Sequence, residues 1–102
     1  MEKIKLNRSN LEIVKNSKKV KLTRKEFQLL EFLFLNKNRV VNRLSILEYL
    51  WDFDVTVKTN TLEVHVASLR KKLALNLRRE FIKTIHGLGY MFTDSSNIPE
   101  PH

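Results

Sequence analysis

The residues from Asn60 to Leu73 form the stretch whose spacing most clearly indicates a chemical task. Four apolar residues recur there at helical intervals: Leu62, Val66, Leu69 and Leu73. The opposite face of such a helix would carry small, polar or basic residues: Asn60, Val64, Ala67, Ser68 and Lys71, with Arg70 and Lys72 on its flanks. A small, weakly charged ridge with basic edges suits the major groove of a duplex, where base edges lie between two phosphate backbones. An ordinary amphipathic surface helix would show the same apolar stripe.

The other residue types that could do chemistry do not form a recognisable site. The three histidines, His65, His86 and His102, are scattered, and the chain has no cysteine to complete a zinc site. Asp52 and Asp54 lack a third ligand and a nearby glycine-rich loop, so they do not indicate metal-assisted catalysis. We therefore expect no enzyme, metal or cofactor. His65 fits either a packed position at the edge of the core or a phosphate contact.

Composition predicts one cytoplasmic domain with a polyanionic partner. The chain of 102 residues carries a net charge of +8, from 19 Lys and Arg against 11 Asp and Glu. The excess of basic residues falls within residues 1–93, which favours nucleic acid over an acidic membrane or protein. The chain shows neither a membrane-spanning apolar run nor a signal-peptide pattern, and the lack of cysteine agrees with a reducing compartment.

Three short strands are predicted at the start, over residues 3–6, 11–15 and 18–22, with alternating apolar residues on one face. The lysines on the other face are read as a solvated surface that also protects the sheet edges. Thr23 and Glu26 form a capping box for a first helix that runs to about Asn36. The run Asn36-Lys37-Asn38 is predicted to stop it, because asparagine tolerates the left-handed conformation at the end of a helix. Its apolar arc is broad enough for cover on more than one side.

The middle and end of the chain add two helices and a hairpin. Residues 39–41 are predicted to be extended, and Asn42 to cap a second helix with Leu44, Leu47 and Leu50 inward. Either residue 59 or Asn60 would cap the third helix, residues 60–75. Residues 81–92 are predicted to form a β-hairpin that needs both glycines, Gly87 and Gly89. Residues 76–80 would form a charged turn, and residues 94–102 a disordered tail.

The predicted elements follow the order of a winged helix-turn-helix, an α+β fold: helix, short strand, helix, loop, helix and hairpin. Five blocks of sequence resemble the DNA-binding domain of the OmpR/PhoB family of response regulators. They are Leu22-Thr23-x-x-Glu26-Phe27-x-Leu29-Leu30, Arg39-Val40-Val41-x-Arg43, Leu47-x-x-x-Trp51, Asn60-Thr61-Leu62-Glu63-Val64-His65-Val66-x-x-Leu69-Arg70-Lys71-Lys72-Leu73, and Ile82-x-Thr84-Ile85-x-Gly87-x-Gly89-Tyr90-x-Phe92. The N-terminal strands fit the sheet that such domains carry. The resemblance implies one winged-helix domain over residues 1–93.

The resemblance also implies roles for individual residues. Six match positions that contact phosphate in the family: Arg43, Trp51, Thr61, Arg70, Thr84 and Tyr90. Val64 and Ser68 match base-edge positions, with His65 and Ala67 beside them, and Val64 could pack on a thymine methyl group. His86 matches a wing position that often carries a minor-groove arginine. The loop of residues 51–58 matches the segment through which activators contact RNA polymerase.

Two departures from the family pattern bear on specificity. Many relatives have arginine at one or both of the positions that are Ala67 and Ser68 here, and His86 replaces the wing arginine. Each bidentate arginine contact supplies about 1–3 kcal/mol of base discrimination. We therefore expect more dependence on phosphate contacts, DNA shape and a second bound copy.

The resemblance implies sequence-specific binding to promoter DNA, on direct repeats, and regulation of transcription. A receiver domain and a sensor kinase are expected partners of the full-length protein. The alternative is a winged-helix module that binds protein through the loop of residues 52–58 and the leading sheet, since a fold does not fix function.

Overall fold

The computed structural model describes residues 4–15, 18–51, 60–73 and 81–93. Nine elements follow one another: β1 (Ile4–Asn7), β2 (Glu12–Lys15), β3 (Lys18–Lys21), α1 (Arg24–Leu35), β4 (Val41–Asn42), α2 (Arg43–Trp51), α3 (Thr61–Leu73), β5 (Ile82–Ile85) and β6 (Gly89–Phe92). This is the predicted winged helix with its leading sheet. The predicted loop of residues 52–58, a cap at residue 59, the turn of residues 76–80 and the tail of residues 94–102 lie outside the described residues.

The leading sheet is antiparallel in the order β1-β2-β3. Its register aligns Leu6, Ile13 and Val20 in one row across the three strands. Ile13 is fully buried, with the other two packed against the core, so this row faces the helices. Lys5 and Lys19 lie on the other face and are exposed, as the alternation predicts.

The prediction that Leu11 begins the second strand was wrong. Leu11 lies in the turn before β2 with a φ of 57°, in the left-handed region. Its carbonyl oxygen accepts a hydrogen bond of 2.9 Å from the Leu22 N–H, which ties the turn to the end of β3. Because this tie and the partial burial of its side chain hold Leu11 in place, the turn tolerates a conformation that leucine seldom adopts.

α1 begins with the predicted capping box. The Glu26 N–H donates to Thr23 Oγ1 at 3.2 Å, and the Thr23 N–H donates to Glu26 Oε1 at 2.9 Å. At the other end, the left-handed residue is Asn38 with a φ of 66°, whereas Asn36 has a φ of −110°. The left-handed residue therefore lies within the predicted stop of residues 36–38, at the second of its two asparagines.

β4 and α2 share a junction at Asn42, whose side-chain oxygen accepts from the Leu44 N–H at 2.7 Å. Of the three leucines predicted to face inward, Leu50 is buried and Leu47 is half-buried, but Leu44 is 64% exposed. Ile46 is fully buried instead. Since β4 pairs with β6, the start of α2 is held beside the wing, which turns Leu44 outward.

The C-terminal sheet has the order β4-β6-β5, and the β5–β6 hairpin is the wing. Gly87 has a φ of +80°, which only glycine adopts without strain. Gly89 is needed for a different reason, because a Cβ atom there would lie 2.0 Å from the Val41 carbonyl oxygen. Both glycines are therefore needed, as predicted. Gly87 permits the left-handed turn, and Gly89 permits the close approach of β4.

Gly89→Ala should destabilise the domain by about 3 kcal/mol or more, because the added methyl group must push β4 away from β6. Gly87→Ala, where a Cβ meets nothing within 4 Å, should cost only about 1–2 kcal/mol of left-handed strain. Urea denaturation of both variants measures the difference. Equal losses, or a larger loss for Gly87→Ala, would contradict the role given to Gly89.

Candidate nucleic-acid interface

Four sides of α3 face different surroundings, as follows from a rotation of about 100° per residue. The core side, Leu62, Val66, Leu69 and Leu73, is buried as predicted. The outer side carries Asn60, Val64, Ala67 and Lys71, all exposed. The remaining residues lie between these two sides, with Ser68 and Lys72 toward α1, and Glu63 and Arg70 toward α2 and the wing.

The outer side of α3 has the character expected of a surface that enters a groove. Val64 is 56% exposed, and Ala67 follows it by one helical turn. Asn60 stands before them and Lys71 after them, so polar groups lie at both ends of a small apolar centre. From Asn60 to Lys71, eleven steps of about 1.5 Å each, this side extends about 16 Å along the helix axis.

The α1 side of α3 is fastened to a buried carboxylate. Glu26 is 4% exposed, and its two oxygens accept hydrogen bonds from both Ser68 and Lys72. The Lys72 ammonium lies 2.6 Å from Glu26 Oε1, and the Ser68 hydroxyl donates to Oε2. Together with the Thr23 amide, these donors satisfy a charge that would otherwise be costly to bury.

The electrostatic consequence is a strongly acidic Glu26. Burial of the carboxyl group opposes its ionisation, but the hydrogen bonds from Lys72, Ser68 and the Thr23 amide outweigh burial and lower the pKa to about 2. Glu26 is therefore ionised at neutral pH, and the ionised form is the one that holds α3 against α1.

Arg70 fastens the wing to α3. Its Nε donates to the Ile82 carbonyl oxygen at 3.0 Å, and one terminal nitrogen donates to Thr84 Oγ1 at 2.7 Å. Both acceptors belong to β5, so this one guanidinium sets where the hairpin stands relative to the outer side of α3. Arg70 and Thr84, two predicted phosphate contacts, are thus brought into direct contact with each other.

A second link joins α2, α3 and β6. Arg43 pairs with Glu63 through a hydrogen bond of 2.8 Å from Nε. Glu63 also engages Tyr90, and the pKa of Tyr90 is raised by burial first and then by the negative charge of Glu63. The Arg43 hydrogen bond in turn lowers the pKa of Glu63. Because the pair is exposed, it contributes under about 1 kcal/mol to stability and chiefly orients Arg43.

His65 and Trp51 meet at the junction of α2 and α3. Their ring centroids lie 5.2 Å apart at an interplanar angle of 75°. His65 Nδ1 is 2.9 Å from the Thr61 carbonyl oxygen, and the Lys25 ammonium lies 5.5 Å from the Trp51 ring centroid. This packed position at the core edge is one of the two settings expected for His65.

A groove of about 310 Å³ opens where the wing meets the start of α2. Its lining combines residues of the wing turn with buried and basic side chains: Arg43, Thr84, Ile85, His86, Gly87, Leu88, Gly89 and Tyr90. His86 is exposed at the wing turn. Four of the predicted DNA-contacting residues, Arg43, Thr84, His86 and Tyr90, therefore share one concave surface.

Known proteins match the part of the chain that contains α3, its contacts with α1 and α2, and the wing. Residues 17–92 match the family model described as transcriptional regulatory protein, C terminal. The chain belongs to the OmpR/PhoB family of response-regulator effector domains. This is a family of DNA-binding, transcription-regulating domains and not of enzymes, so the reading as a protein-binding module is not favoured.

Individual relatives agree with this effector domain in sequence and fold. The transcriptional regulatory protein QseB of Haemophilus influenzae is 39% identical over 87 residues, which cover 85% of this chain and 38% of that protein. The structure of the OmpR/PhoB homologue DrrB of Thermotoga maritima is 33% identical with a TM-score of 0.77, over 89% of this chain and 42% of that one. The DNA-binding domain of CpxR from E. coli is 26% identical with a TM-score of 0.77, over 90% and 91%. The chain spans about two-fifths of the length of QseB.

Sequence reasoning missed three internal contacts of the effector domain. Glu26 was identified as a cap and not as a partner of Ser68, and the pairs Arg43–Glu63 and Arg70–Thr84 were not predicted. Each joins residues far apart in the chain, so no local spacing reveals it. One feature of the sequence could have indicated the position of Ser68. At about 100° per residue, Ser68 lies about 120° around the helix from Leu62, so it is displaced from the outer side toward a neighbouring element.

Neither a metal site nor a membrane helix emerges from the described parts of the effector domain. Within those ranges, no three His, Cys, Asp or Glu side chains gather closely enough to hold a metal ion. The helices described there are too short or too polar to cross a bilayer.

Glu26→Gln should lower stability at neutral pH by about 3 kcal/mol, since the folded-state pKa of about 2 lies below the ordinary value of 4.5. The ionised carboxylate stabilises the fold fully above about pH 5, and this contribution is lost as the pH falls toward 2. The gap between the two proteins should therefore narrow on acidification, as measured by urea denaturation across pH 2.5–7.

Glu48→Gln is the matched control, because Glu48 is exposed on α2. It should follow the unsubstituted protein at every pH. A Glu26→Gln variant whose deficit stays constant between pH 7 and pH 2.5 would show that the ionised carboxylate is not what holds α3.

Proposed function

We propose that this domain binds specific sites in double-stranded promoter DNA and regulates transcription, with α3 in the major groove and the wing at the minor groove. The observation that carries the proposal is the outer side of α3, where an exposed, small and nearly neutral centre is held clear of the core between basic residues. A major groove about 12 Å wide admits one α-helix and presents base edges to such a surface.

Residues around α3 would contact the DNA phosphates and so position the domain on the duplex. Lys71 is exposed at the end of the outer side, while Arg43, Arg70, Thr84 and Tyr90 surround or line the groove beside the wing. Trp51, Thr61 and Lys72 complete the proposed set of contacts with the sugar-phosphate backbone of the DNA. Arg43, Arg70 and Lys72 already have internal hydrogen-bond partners, which would hold them in fixed directions before DNA arrives.

Base recognition is proposed for the outer side of α3, at Val64 and a second position about one turn on. The family resemblance places that second position at Ser68, with Asn60, His65 and Ala67 nearby. The wing would reach the minor groove through His86, which is exposed next to Gly87. An imidazole ring has at most two N–H donors, whereas a guanidinium has five, so this contact would add less attraction than an arginine. The wing would then respond more to groove shape than to charge.

The relatives MprA and HssR are named as response regulators, and the match covers only 36% and 40% of their lengths. These relatives support a proposal about the wider setting of the domain. We propose that a receiver domain and a sensor kinase act upstream and that two copies bind direct repeats. We further propose that residues 51–58 contact RNA polymerase and that the protein works in the cytoplasm, where promoter DNA is found.

Ala67→Glu should abolish specific binding, lowering affinity at least a hundredfold, because a carboxylate would enter the groove between phosphates and base acceptors. Lys19→Ala changes the net charge by the same amount on the leading sheet and should leave affinity within about twofold. Mobility shift with a selected duplex at 0.15 M salt compares the two. Equal losses would mean that net charge, and not the position on α3, controls binding.

The affinity should fall steeply with salt, since counterions are released from each neutralised phosphate. With about 4–8 phosphate contacts, log K against log salt should have a slope of about −4 to −7. Lys71→Ala should make the slope shallower by about one unit.

Lys21→Ala, on the outer face of the leading sheet, is the control for this measurement and should leave the slope unchanged. If both substitutions reduce the slope equally, the phosphate contacts are not concentrated around α3.

A further inference from the structure

The centre of the outer side of α3 offers a DNA duplex only methyl groups. Val64 is 56% exposed and Ala67 is exposed one turn later, and neither side chain has a hydrogen-bond donor or acceptor. Polar side chains on this side stand only at its ends, Asn60 and Lys71. The chemistry available at the middle of the groove is therefore apolar contact.

Ser68, the nearest hydroxyl, is directed away from this centre. Its Oγ donates its proton to Glu26 Oε2, on a carboxylate that is 4% exposed. Leaving that carboxylate for a base would strip a buried charge of one of its donors, which is unfavourable. Arg70 and Lys72 on the flanks are likewise engaged, by β5 and by Glu26.

Among the four bases, only thymine presents an apolar group in the major groove, its C5-methyl. Guanine and adenine present hydrogen-bond acceptors in the major groove. A methyl group packed against them would displace their bound water and offer no hydrogen bond in its place. Val64 and Ala67 are three residues apart, about 4.5 Å along the helix axis, which is close to the 3.4 Å between successive bases.

We propose that the domain selects duplexes by the C5-methyl groups of thymines in two adjacent base pairs, one packed against Val64 and one against Ala67, with Ser68 held out of base recognition by Glu26. This inference rests on the proposed function and specifies its DNA substrate. It moves the second reading position from Ser68 to Ala67.

The test begins with selection of bound sites from a random duplex pool, followed by replacement of each thymine in the selected site by deoxyuridine. Deoxyuridine keeps the base pair and removes only the C5-methyl group. Affinity should fall roughly fourfold at each of two adjacent base pairs, the value for one buried methyl group of about 0.8 kcal/mol, and should not change elsewhere in the α3 footprint.

Protein variants assign the two positions. Val64→Ala should reduce the deoxyuridine effect at one base pair, because a shorter side chain makes less contact with the thymine methyl group, and should leave the effect at the other unchanged. Val14→Ala, the same substitution on the outer face of the leading sheet, should keep both effects. Ser68→Ala, checked for folding by circular dichroism, should select the same consensus as the unsubstituted protein.

The outcomes separate this inference from the function on which it rests. If the domain binds no duplex from the random pool, the proposed function itself is overturned. Specific binding to sites without adjacent thymine methyl groups, or binding indifferent to deoxyuridine, would leave DNA recognition intact and overturn the methyl-reading inference. A new consensus for folded Ser68→Ala would do the same, because Ser68 would then be reading a base.

Discussion

A buried carboxylate is the constraint on which the rest of the interface depends. Glu26 sits at the start of α1 with 4% of its surface exposed, and a charge in that position is tolerated only when donors surround it. The Thr23 amide is local, but Ser68 and Lys72 come from α3. The need to satisfy one carboxylate thus fixes both the separation of α1 and α3 and the rotation of α3 about its own axis.

Once the rotation of α3 is fixed, its other sides acquire their functions. The side toward the wing brings Arg70 against β5, which holds the hairpin in register with α3. The same side brings Glu63 to Arg43 at the start of α2. Basic residues that would contact phosphate are therefore already directed by internal partners, and little side-chain freedom remains to be lost on binding.

Much of the fold was predictable because it depends on local patterns. The apolar stripe of α3, the capping box at Thr23 and the glycine-dependent hairpin all depend on residues a few positions apart, and the structure confirms each one. The errors at Leu11 and Leu44 lie at junctions between elements. There the conformation depends on a neighbouring strand, as with the hydrogen bond from Leu22 to Leu11.

The sequence by itself determined the order of elements, the buried face of α3, the basic character of the body and the family to which the chain belongs. These follow from helical and strand periodicity and from motifs that are contiguous in the chain. Only the tertiary structure decided which way Ser68 and Arg70 point and that Glu26 joins two helices. Those partners are separated by 42 residues in one case and by 12 to 14 in the other, so only the packing of the folded chain brings them together.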